Sequence, residues 1–118
     1  MLKPTLFDPN QAGVLHLAEA TQFSDAGIVS RAVHDQDGVR MTLFAFAAGQ
    51  QLTEHASPGR ALVQILTGAC EFTVDGKKTP LHAGDLLHLP PGLQHGVTAT
   101  EAFSMLLTLV RPRATRAG

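Results

Sequence analysis

The chain has 118 residues, with nine Lys plus Arg against ten Asp plus Glu, six His, one Cys, and neither Trp nor Tyr. A formal charge of −1 leaves no basic footprint for a phosphate backbone, one cysteine makes no intrachain disulfide, and no apolar run is long enough to cross a bilayer as a helix. A chain this long buries roughly 65–70% of its unfolded surface without staples, so we expect one cytoplasmic domain with neither a nucleic-acid nor a membrane partner.

Residues 1–26 form an N-terminal segment in which VLHLAEATQ, residues 14–22, is the only stretch that accommodates a turn of helix. After it the signals are those of strands: Ile28–His34, Val39–Ala47, Ala61–Leu66, Cys70–Asp75, Asp85–Leu89 and Phe103–Val110, each bounded by Gly, Pro, Asp or Asn. Asp37-Gly38 and Asp75-Gly76 supply the positive-φ positions of tight hairpin turns. The pattern is all-β over residues 27–110, and residues 111–118, rich in Arg, Pro and Ala, read as a flexible tail.

In Cys70–Asp75 the residues Cys70, Phe72 and Val74 alternate with Glu71, Thr73 and Asp75, which makes one face dry and the other wet. Cys70 is accordingly expected as a small core residue rather than a reactive thiol. By contrast, Phe103–Val110 and Leu62–Leu66 are apolar on both alternating faces, too much for a sheet wetted on one side. Something must cover the second face, and we expect a second copy of the chain in a homodimer.

Histidine carries most of the neutral-pH chemistry in a chain of this composition. His16, His34 and His82 fall in an irregular segment, a hairpin end and a turn, and are expected in solvent. No nucleophile elbow, CxxC, P-loop or GxGxxG is present, so hydrolase, dithiol and nucleotide chemistry lack support. Ser57 lies close to His55 in sequence but no third orienting group accompanies them.

The stretch Gly84 to His95 reads G-x5-P-x-G-x2-H, with Gly84, Pro90, Gly92 and His95 at its fixed positions: a turn, a strand, a sharp break and a return. It resembles the second motif of the cupin superfamily. Upstream, Gly49-x5-His55, with Gly68 thirteen residues after the histidine, resembles the first cupin motif, G-x5-H-x-H-x3,4-E-x6-G. Here Ser57 stands at the second histidine position and Ala61 at the glutamate position. The wording LTEHASPGRALVQILTGACEFTVDG is similar to that of small single-domain, RmlC-like cupins whose first motif is degenerate in this way, and the resemblance runs over residues 27–110.

The resemblance implies a single-domain, cupin-type double-stranded β-helix, a jelly-roll barrel with two motif histidines in its mouth, and we expect residues 1–26 to pack on that barrel. In cupins with the full motif, three His and one Glu hold a divalent metal such as iron, manganese, nickel or zinc. Carried over residue by residue, only His55 and His95 survive as ligands, where a catalytic metal normally keeps about three protein ligands. Gln64, His88 and Glu54 are the nearby candidates for a third. If position 61 faces the interior, Val63 and Ile65 face in and Gln64 faces out, unless a bulge shifts the phase.

Two ligand-using function classes stay open on this reading, beside a third, a structural or regulatory dimer without any ligand. One is a metal-free pocket for a small organic ligand, lined by Val63, Ile65, Phe72, Met105 and Leu107, with Arg60, and also Arg31 and Arg40, as candidate rim contacts for an acidic substrate. The other is a metal-dependent enzyme of dioxygenase, isomerase or lyase type. Sugar-nucleotide epimerases of this fold rely on a His and Tyr pair, and the absence of tyrosine closes that branch.

Overall fold

The computed structural model describes residues 4–112. Nine strands follow a short helix: α1 (Leu17–Ala20), β1 (Ile28–Gln36), β2 (Val39–Phe46), β3 (Gln51–His55), β4 (Arg60–Thr67), β5 (Ala69–Val74), β6 (Lys77–His82), β7 (Leu86–Leu89), β8 (His95–Thr98) and β9 (Phe103–Val110). Among the described residues no helix is long and apolar enough to cross a membrane.

The strands form two antiparallel sheets, of order β1-β2-β9-β4-β7 and β3-β8-β5-β6. Strands distant in sequence are thereby neighbours, as in a jelly roll, where the chain passes back and forth between two facing sheets. Two hairpin turns are tight, with Asp37 at φ 57° and Asp75 at φ 49°, each followed by a glycine. Positive φ at both central residues matches the twist of the flanking strands and so joins them directly.

The interior between the sheets is apolar and closely filled. On β9, Phe103 and Met105 point inward; on β4, Ala61, Val63 and Ile65; on β5, Cys70 and Phe72; all are buried. Phe46 and Phe103 are partners across β2 and β9 and stack with ring centroids 4.5 Å apart. The inward phase of β4 is the one anticipated from Ala61.

Three strands carry no clear sequence signal. Of these, β6 (KKTPLH) contains Pro80, which is tolerated because β6 lies at the edge of its sheet. The other two, β3 and β8, are short, and β3 is exposed at four of its five residues.

The second apolar face has an occupant within the chain itself. Leu6, Phe7, Leu15, Leu17 and Ala20 pack against Val33, Leu43 and Leu106 on the outer side of the larger sheet. Backbone hydrogen bonds from Leu6 N to Ala32 O and Phe7 N to Val33 O tie this segment to β1, and Arg31 Nη1 donates to the Ala20 carbonyl at 2.7 Å. Leu106 therefore needs no partner subunit to be covered. Leu86, 67% exposed, and Val110 remain open to solvent.

Cys70 is 2% exposed, and burial, with a smaller contribution from Asp85, pushes its thiol up to about 12. The thiolate is the reactive species, so a thiol reagent at neutral pH is expected to leave Cys70 unmodified until the protein unfolds. Because the folded chain holds the proton more tightly than the unfolded one, Cys70 also makes stability fall as pH rises from about 9 to about 12. Denaturant titrations across that window should show this slope in the wild type and a shallower one in Cys70→Val; equal slopes would refute the assignment.

Candidate functional site

A cavity of about 150 Å³ opens between the two sheets. The larger sheet contributes Phe44, Val63, Leu89, Met105 and Leu107 to its wall, and the smaller one Leu52, His55, Phe72, His95, Gly96 and Val97. Among the described residues its only ionisable side chains are the two histidines.

The histidines meet because of an irregularity in β3. Leu52 pairs with Val97 and His55 with His95, so three steps along β3 match two along β8. One extra residue in a strand reverses its inside-outside phase. Without the bulge, a strand with Leu52 facing in would turn Glu54 in and His55 out; with it, Leu52 and His55 both line the cavity and Glu54 is exposed. Gly96 permits the bulge to sit close, since a Cβ there would lie 2.9 Å from Leu52 O and 3.1 Å from Glu54 N.

The imidazoles face each other with ring centroids 4.5 Å apart and planes inclined at 55°. His95 is buried, whereas His55 is exposed at the mouth. Each donates Nδ1–H to the carbonyl two residues before it: His55 to Thr53 O at 3.0 Å and His95 to Leu93 O at 2.9 Å. A carbonyl only accepts, so the tautomer is decided, and the neutral ring keeps its free lone pair on Nε2.

The other sequence candidates lie elsewhere. Gln64 is exposed on the outer side of β4, because it alternates with the inward Val63 and Ile65 and no bulge shifts that part of the strand. His88 is exposed on the outer side of β7, where Arg60 Nη1 donates to its Nε2; Arg60, next to the inward Ala61, lies on that outer side and off the cavity wall. Arg31 is engaged with the N-terminal segment, and Arg40 forms an exposed ion pair with Asp35 at 3.6 Å.

Val63, Phe72, Met105 and Leu107 line the cavity as expected from alternation, whereas Ile65 is buried in the core away from it. His16 and His82 are exposed, His82 beside Asp85 at 3.3 Å, while His34 is half-buried within β1 opposite Met41 rather than at a hairpin end. Sequence reading missed Phe44, Leu52, Leu89 and Val97 as wall residues; for Leu52 and Val97 the signal was hidden in strands too short to register.

A metal of the kind the motif resemblance implies would need further donors. Among the described residues no group of three or more His, Cys, Asp or Glu comes together. Ala61 offers no donor atom, and the Ser57 hydroxyl accepts from Gly59 N at 3.3 Å while its carbonyl accepts from Gly92 N. Two imidazoles alone do not fit a resident catalytic metal, which takes about three protein ligands.

A second, larger concavity of about 800 Å³ lies between residues 4–9 and the β1–β2 hairpin. Its charged groups are Asp8 and the paired Asp35 and Arg40. It assembles no chemistry comparable to the histidine pair.

Comparison with known proteins gives the same architecture. No curated protein matches the chain. A conserved protein of unknown function from Streptococcus pyogenes superposes with a TM-score of 0.82 at 32% identity, over 95% of this chain and 98% of its own. An RmlC-like cupin from Desulfovibrio desulfuricans gives 0.77 at 31%, over 87% of this chain and 100% of its own. A cupin conserved barrel domain protein from Leptotrichia buccalis gives 0.78 at 38%, over 82% of this chain and 47% of its own. The cupin domain family matches residues 42–110, which hold both motif histidines and every residue named above in the cavity wall. The chain belongs to the cupin family.

Proposed function

We propose that this cupin domain binds a small organic molecule in its barrel cavity, held at the polar end by His55 and His95. The observation that carries the reading is the pairing of two tautomer-fixed imidazoles, 4.5 Å apart, with walls that are otherwise apolar or glycine. A concave apolar site with a few convergent polar groups is the usual form of a small-molecule pocket.

Ligand binding to the folded state alone stabilises it by about 2.7 kcal/mol at a hundredfold excess over Kd. In a thermal-shift screen of small aromatic and aliphatic compounds we expect at least one to raise the melting midpoint of the wild type. The same compound should act weakly on His55→Ala/His95→Ala. A midpoint that no compound moves would overturn the proposal.

The metal-dependent enzyme is supported by one feature, the Nδ1 hydrogen bonds, since metal-binding imidazoles are commonly fixed through their other nitrogen. It asks for donors beyond the two present among the described residues. Protein purified without chelator and offered iron, manganese, nickel and zinc is therefore expected to carry well under one metal per chain. Stoichiometric metal that disappears in the double variant would replace the proposal with the enzyme reading.

A further inference from the structure

We propose that the pocket selects uncharged ring compounds that donate hydrogen bonds, of the phenol and catechol class, and discriminates against carboxylates of the same size. This rests on the cavity being the ligand site and names the chemistry it accepts.

The argument is one of donors and acceptors. Both Nδ1–H groups are committed to carbonyls, so each neutral imidazole offers the cavity only an Nε2 lone pair. The remaining wall side chains are hydrocarbon or thioether, apart from Gly96. With both rings neutral, the wall's described side chains thus accept hydrogen bonds and donate none.

A carboxylate is also acceptor-only. Brought between the neutral rings of His55 and His95, it would give up part of its water and meet two lone pairs, leaving its charge unpaired, which is unfavourable. Among the described residues no arginine or lysine lines the cavity to compensate. A hydroxyl supplies the missing proton, and two adjacent hydroxyls on one ring can address one imidazole each across the 4.5 Å pair. For the rest of the molecule, an apolar cavity of about 150 Å³ is the size that holds a benzene ring.

The test uses the full chain, freed of metal by chelator and kept under nitrogen at about pH 8.5, above the ordinary titration range of imidazole. Phenol, catechol, benzoate and toluene are titrated by calorimetry, and the imidazole nitrogens are followed by 15N NMR. Phenol and catechol are expected to bind about tenfold or more tighter than toluene and benzoate, the effect of satisfying rather than stranding a buried polar group. Both histidines should show a protonated Nδ1 and a bare Nε2 that shifts on adding phenol. In His55→Ala/His95→Ala, toluene should still bind while the preference for phenol is lost.

Benzoate binding as tightly as phenol would overturn the donor argument and leave the cavity standing as a ligand site. No binding by any of the four, toluene included, would overturn both. An Nε2–H tautomer at either histidine in the wild type, or phenol binding that appears only when metal is added, would also overturn the donor argument, whether or not the double variant folds.

Discussion

Replacing Gly68 by alanine is expected to destabilise the protein by about 2–5 kcal/mol, a large share of the ~5–15 kcal/mol that holds a domain together. Two costs add. Gly68 has φ +76°, a conformation that costs an L-residue roughly 1–2 kcal/mol. A Cβ there would also lie 2.1 Å from Ala102 O and 2.8 Å from Phe103 Cα. Both are backbone atoms that cannot swing aside, and overpacking of this kind costs about 1–3 kcal/mol more.

Gly76 separates the two contributions. Its φ is +80°, but nothing lies within 4 Å of a Cβ built there. Gly76→Ala should therefore lose only the conformational part, roughly 1–2 kcal/mol. Thermal unfolding compares the pair: Gly68→Ala is expected to melt roughly 10 °C or more below the wild type, and clearly below Gly76→Ala. Equal midpoints for the two variants would refute the steric account.

The second large effect is expected at Phe103. Its ring is fully buried and stacked on Phe46 at 4.5 Å, in the layer directly beyond Met105, a wall residue of the cavity. Phe103→Ala removes the buried ring and leaves a void that a close-packed interior fills only in part, at a cost of about 3–5 kcal/mol. Urea titration should show a lower midpoint with an unchanged slope, as expected for a two-state loss of stability. A double-mutant cycle with Phe46→Leu and Phe103→Leu should return a coupling of about 0.5–1.5 kcal/mol for the stacked pair. A coupling near zero would mean that the rings fill space independently.

Much of the fold is legible in the chain because its cues are local. Strict alternation in Cys70–Val74 determines which side faces the core, and Asp37-Gly38 and Asp75-Gly76 adopt the positive φ their types suggest. The strands that escaped notice are those whose reason for existing is not local. Pro80 argues against a strand until β6 is seen to lie at an edge, and β3 and β8 each have too few residues to display a period. The covering of Leu106 is likewise non-local: an apolar outer face asks for a cover, and only the folded chain shows residues 6–20 providing one.

The site divides along the same line. Sequence alone, through motif spacing and alternation, singled out His55 and His95, put Val63 inside and Gln64 outside, and left Ser57 and Ala61 where donors would be needed. The tertiary structure decided how the two histidines meet, by a bulge that turns His55 inward and Glu54 outward, and which nitrogen of each imidazole a backbone carbonyl engages. It also decided that His88 and Arg60 engage each other on the outer face. The physical reason is that a side chain's direction follows from pairing register, and a tautomer from the carbonyl that receives its proton. Register belongs to two strands some forty residues apart, β3 and β8, so no window along the chain contains it.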